Sequence, residues 1–297
     1  MISNPKIEMM PADMKKELIL QRFLKTLCWA YEKSSFYHDK YTKAHITPND
    51  IKEFDDIPKL PLSTVDELKR ADTMELLTVP ISSTLRLGKT ISGLYRGFTA
   101  DDIARNMDIT VRALASNDIN RASTVIICGK YSSQYLLDLH YAAEALGATV
   151  IPCNDVQAVI DVANIFNANT LITTAKNLQE ILDRAPDILP PKIIALVHTF
   201  QKDTLLEEIE TKLQCTLPKI YMSRYFGLAG IFFTCEENQL HIQDDYLYPE
   251  IVDGSLVITP LTFEAMPIIR FQTGISASLS KNTCKCGRTL ATIKLNL

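Results

Sequence analysis

An α/β fold is predicted, and three observations carry it. Strand-like apolar runs alternate with helical periodicity from residue 123 to 213, short β-type runs take over after Pro218, and the composition is that of an ordinary globular chain. With 297 residues, 46% of them hydrophobic and 22% charged, the chain has material for one large domain and a smaller appendage. The change of rhythm sets the expected boundary. Residues 1–217 form an α/β domain and 218–297 a β-rich subdomain.

The elements follow in order. From Ala12 to Glu32, Leu18, Leu20, Phe23, Leu24, Leu27, Cys28, Ala30 and Tyr31 recur at helical spacing. After a Pro-punctuated stretch to Pro61, Ser63 is placed to cap a short helix beginning near Val65. Residues 123–128 read as a buried strand, and Gln134 to Leu146 as a helix stopped by Gly147. Strands at 148–151, 170–173 and 192–196 then alternate with helices at 156–166, 178–184 and 204–213, the signature of parallel βαβ units. The later runs, 230–234, 240–243, 248–252, 255–259 and 267–271, suit a small, mostly antiparallel sheet.

Composition also excludes. A formal net charge of −4 and the lack of any Lys/Arg run argue against nucleic-acid binding. The N-terminal residues lack an apolar signal region and no stretch approaches a membrane span, so no membrane association is expected. Seven cysteines, an odd number, fit reduced thiols or a metal site better than a disulfide framework. The expected compartment is the cytoplasm.

Cys284-Lys285-Cys286-Gly287-Arg288 is the sharpest local signal. Two thiols one residue apart cannot readily close on each other, but they can bite one metal from a turn. Cys235 and His241, at hairpin spacing, offer two more ligands and would complete a closed Cys₃His set with no open catalytic position. The alternative is a reactive surface dithiol beside an unrelated Cys and His. Cys28, Cys128, Cys153 and Cys215 lie in apolar contexts and are expected in the core.

Several blocks carry a resemblance. They are His140 to Pro152, Leu240 to Ile251, Leu261 to Phe271, and Cys284-x-Cys286-Gly287-Arg288-Thr289, supported upstream by Pro48 to Ile51 and Leu60-Pro61. Together they resemble the phenylacetate–CoA ligase family, a branch of the AMP-forming adenylating enzymes. The resemblance implies the large N-terminal domain of those enzymes, parallel α/β sheets plus a small antiparallel β subdomain. It also implies structural zinc on Cys235, His241, Cys284 and Cys286.

The departures from the family pattern bear on activity. Where the family has a Ser/Thr/Gly-rich phosphate loop, this chain has Leu85-Arg86-Leu87-Gly88-Lys89-Thr90-Ile91-Ser92-Gly93. At the family's magnesium carboxylate motif it reads Tyr221-Met222-Ser223-Arg224-Tyr225, and at the ribose-binding aspartate it has Ile275. The sequence ends at Leu297, just past the Cys-x-Cys block, so the C-terminal lid domain with its adenylation lysine is expected to be absent.

Three or four lost charge-assisted contacts are together worth on the order of 5–10 kcal/mol, enough to remove useful ATP affinity. The expectation is a degenerate ligase-like protein, with no catalytic residues and with ATP and magnesium not bound. Its ligand would be a small acyl or aryl group, a CoA- or carrier-bound acyl group, or a partner protein. The pocket would draw on Lys89, His140, Tyr141, Tyr221, Arg224 and Tyr225. The alternatives are a repurposed enzyme acting on an activated thioester, with His140 or Tyr225 as acid/base, and an acid–thiol ligase completed by a separate C-terminal subunit.

Overall fold

The structure, a computed structural model, describes residues 1–198 and 203–296; Leu297 lies outside the described residues. The chain opens with helices α1 (Pro5–Glu8), α2 (Ala12–Lys33) and α3 (Ser35–Lys43), then α4 (Val65–Arg70) and α5 (Thr73–Leu76). A ribbon of β1 (Arg86–Lys89) and β2 (Tyr95–Phe98) leads into α6 (Ala100–Ser116). Alternation follows: β3 (Thr124–Cys128), α7 (Gln134–Ala145), β4 (Thr149–Cys153), α8 (Val156–Val162), β5 (Thr170–Thr174), α9 (Ala175–Arg184), β6 (Lys192–Val197), α10 (Thr204–Leu213) and β7 (Lys219–Met222). Strands β8 (Ala229–Thr234), β9 (Leu240–Ile242), β10 (Leu247–Val252), β11 (Ser255–Pro260), β12 (Phe271–Ser280) and β13 (Thr292–Leu295) complete the chain. The predicted α/β class is what forms.

Two compact units result, residues 1–4 with 106–241, and residues 5–105 with 242–296. Residues 218–241 thus fall in the first unit and 242–296 in the second. Among the described residues no helix is long and apolar enough to cross a membrane.

In the first unit the strand order is β9-β8-β7-β6-β5-β3-β4. Strands β3 to β7 run parallel, and β8 turns back antiparallel on β7, making the sheet mixed. Strands β3, β5 and β6 are buried along nearly their whole length, as a sheet covered on both faces requires. Gly147, at φ 81°, ends α7 where the sequence predicts the stop. Gly230 answers a different demand: at φ 71°, its missing Cβ would sit 2.8 Å from Ala113 Cβ on α6.

In the second unit β10, β11, β12 and β13 pair antiparallel in that order. Its core gathers Ile19, Phe23, Leu27 and Ala30 from α2 with Tyr37, Tyr41, Tyr248, Leu261 and Ile269. Burying that α2 stripe sets the predicted 12–32 helix, observed one residue longer.

Several expectations are corrected. The cap of α4 is Thr64, whose hydroxyl accepts from the Glu67 N–H, while Ser63 donates its own N–H to Arg270 O and is committed to pairing. Residues 267–270 are not strand, because Pro267 lacks an N–H and Arg270 turns to φ 48°; β12 begins at Phe271. The helix expected to reach Phe166 ends at Val162, and the chain turns toward Asn167 at φ 49°. Cys128 and Cys153 are buried, but Cys28 and Cys215 are exposed. Cys28 lies beside the buried Leu27 on the solvent side of α2, and Cys215 follows Gln214, a left-handed helix end that directs the chain outward.

Candidate functional site

The strands after β3 dictate a crevice. The parallel order β4-β3-β5-β6-β7 places successive connections on opposite sides of β3, and the strand order reverses between β3 and β5. Helices cover the two faces of such a sheet and part at this switch point, leaving a hollow outside the carboxyl ends of the strands. A cavity of about 510 Å³ lies there, lined by Cys128 to Lys130, Asn154 to Gln157, Thr174 and His198 from the strand ends, Tyr135 and Leu136 from α7, and Asn177, Glu180 and Arg184 from α9.

Its chemistry is mixed and largely self-satisfied. Asp155 caps α8 by accepting from the Ala158 N–H at 2.9 Å, so the helix start is already neutralised. Arg184 pairs with Glu180 at 2.7 Å and reaches Gln157. Burial pushes the Cys128 thiol up to about 11, with the Asn177 amide 3.6 Å from its sulfur, which makes it a poor nucleophile. His198 packs edge-on against Tyr135 at 5.3 Å, and its buried Nδ1 has no hydrogen-bond partner among the described residues. Burial, with Arg224 adding to it, pulls the His198 pKa down to about 4, so the imidazole is neutral at physiological pH. A neutral ring with a spare nitrogen between aromatic and amide groups suits a flat, polar-edged ligand.

The six pocket residues expected from the sequence do not line this cavity. His140 is on α7, with Nε2 3.1 Å from Glu144 and its ring edge-on to Tyr131 at 5.8 Å. Tyr141, next to it, is exposed. Tyr221 is buried on β7 against Phe232, and burial pushes its phenol up to about 12. Arg224 and Tyr225 lie in the turn after β7, which Ser223 organises by accepting from the Tyr225 and Phe226 N–H groups. Lys89 ends β1 in the other unit, its ammonium 5.6 Å from the Tyr95 ring centroid. Sequence reasoning missed Cys128, Tyr135, Asn177 and His198, although the predicted strand ends pointed at them.

The four metal-site candidates do meet. Cys235 leaves β8 into a hairpin turn, its N–H bonded to Gln239 O and its carbonyl to the Asn238 N–H. His241, fully buried on β9, stacks on Phe233 at 5.7 Å. Cys284 and Cys286 sit in a turn closed by the Gly287 N–H on Cys284 O, with Gly287 at φ 86°. One donor atom from each residue lies within 4.8 Å of all the others. A tetrahedral zinc with ~2.3 Å bonds to sulfur asks for edges of roughly 3.8 Å, so the donor set fits a closed site.

Arg288 explains the rest of that motif. Its Nε donates to Glu8 at 2.7 Å, with both side chains wholly buried. Burial lowers the Arg288 pKa, but hydrogen bonding to Cys286 and pairing with Glu8 more than offset that and raise it. The same strap is reinforced by Thr289, whose N–H meets Glu8 O at 2.8 Å, and by Lys15 on Asp244 at 2.9 Å.

Comparison with known proteins accords with this geometry. No protein-family model matches the chain. The open form of a 2-hydroxyisobutyryl-CoA ligase, solved with 2-HIB-AMP and CoA, superposes with a TM-score of 0.84 at 17% identity, covering 97% of this chain and 75% of the other. The fold is therefore that of the large N-terminal domain of AMP-forming CoA ligases. The phenylacetate-coenzyme A ligase of Escherichia coli is 30% identical over 98% of this chain and 74% of its own length. That of Thermus thermophilus is 26% identical over 97% and 71%. The chain belongs to the phenylacetate–CoA ligase family.

Proposed function

We propose that this protein binds an acyl or aryl group, free or as a thioester, in the cavity at the β3/β5 switch point, and does not itself adenylate a carboxylic acid. The observation that carries the reading is the cavity's position, where open α/β sheets hold their ligands, with Tyr135, Asn177 and a neutral His198 facing it. The loss of adenylation rests on residues. The phosphate-loop segment is an apolar ribbon, Arg224 and Tyr225 occupy the magnesium motif, and Ile275 replaces the ribose aspartate. We assign structural zinc to Cys235, His241, Cys284 and Cys286. Zinc bound there would be saturated by four protein ligands, which leave it no coordination site for a substrate.

Calorimetry on the isolated chain tests this. No heat is expected with ATP–Mg²⁺, whereas an arylacetyl thioester should bind, and Tyr135→Ala should weaken it about tenfold. Formation of any acyl-AMP by this chain alone overturns the reading. Release of free thiol from the thioester would instead reveal a repurposed enzyme. That the matched relatives are phenylacetate-coenzyme A ligases supports a second reading, an adenylating ligase completed by a separate chain. Measurable ATP–Mg²⁺ binding would favour it.

A further inference from the structure

The β1–β2 ribbon is unusual for its surface. Leu87 (53% exposed), Ile91 (41%) and Tyr95 (56%) lie within it, and Leu85 (69%) directly precedes β1. The strand period orders them: Leu85, Leu87 and Lys89 share one face, and Tyr95 stands opposite Lys89. An apolar patch this dense, on so small an element, marks an interaction site. The Gly97 N–H of β2 points at Met266 Sδ at 3.0 Å and Phe98 is buried, whereas β1 pairs with β2 alone in a two-stranded sheet. The far edge of β1 therefore meets no strand among the described residues, which makes it a template for strand addition.

Charge selects the occupant. Between Glu75 and Asp101 the sequence has no acidic residue; Lys89 stands exposed on the ribbon, whereas Arg96 is buried. Lys69 and Lys89 both bring their side chains to the turn at Gly93. A second copy of this chain would bring another exposed Lys89 to the same short edge, and like charges oppose self-pairing. A polyphosphate would satisfy the lysines but leave the leucines in water.

We propose that the outer edge of β1 accepts an extended, acidic segment of a partner protein. Its apolar residues cover Leu85, Leu87 and Tyr95, and an acid lies near Lys69 and Lys89. This is independent of what the cavity binds.

The test uses the full chain with a ten-residue peptide of alternating valine and glutamate, and its valine–lysine counterpart. The glutamate peptide should bind, slow amide exchange within residues 85–90, and lose at least about tenfold in affinity both at 0.5 M salt and in Leu87→Asp. Leu87 is exposed, so the variant should fold; Leu85→Glu serves as an independent check. The proposal is overturned if neither peptide binds, if both bind alike, or if exchange slows elsewhere instead. Protection of the ribbon by inorganic triphosphate equal to that by the peptide, or a dimer that Leu87→Asp dissolves, overturns it too.

Discussion

Glu8 and Arg288 form an ion pair with no solvent contact, and removing half of such a pair strands a charge in a low dielectric. Because Arg288 also bonds Cys286, the pair fixes how that sulfur presents its lone pairs. Glu8→Gln should therefore lower zinc affinity about 10–100-fold, read by competition with a chromophoric chelator. His198 supplies a pH signature. Its pKa falls from 6.5 to about 4 on folding, so between those values the unfolded chain takes up a proton that the folded chain refuses. The unfolded state then binds more protons, and its contribution to stability declines as pH drops from 6.5 toward 4. Urea midpoints across that window should fall more steeply for the wild type than for His198→Gln.

Elements were legible where one force dominates. The α2 stripe and the alternating strands of 123–197 followed from periodicity, because buried faces impose it. Boundaries set by single backbone dihedrals were not. Nothing in Arg270 as a residue announces φ 48°, and the competition between Ser63 and Thr64 for α4 was decided by a strand distant in sequence. The long β12 alternates buried and exposed residues over Phe271–Ser280, yet its small Ser, Thr, Gly and Ala side chains mute the pattern that periodicity reads. At the close approach of β8 to α6, Gly230→Ala combines a disfavoured φ with overlap on Ala113. It should cost about 2–4 kcal/mol, measured by denaturant unfolding.

For the whole molecule, the family relation and the Cys/His cluster that could hold a metal were legible in residue blocks, since Cys, His and Gly at fixed spacing point to chemistry directly. The cavity could not. Its walls come from four strand ends and three helices, and Cys128, Asn177 and His198 have no common motif to betray that they converge. Aligning the chain with the family drew attention to Lys89, His140, Tyr141, Tyr221, Arg224 and Tyr225. The topological rule for parallel sheets would have drawn it to the carboxyl ends of β3 to β6 instead.

The second unit is assembled from residues 5–105 and 242–296, and Glu8 must find a partner 280 positions later. During synthesis the ribosome releases all of 106–241 before Arg288 exists. The continuous segment can thus fold first, while α1 and its neighbours stay without their strands for the time needed to translate that insert. Chaperone demand should accordingly concentrate on the nascent amino-terminal hundred residues.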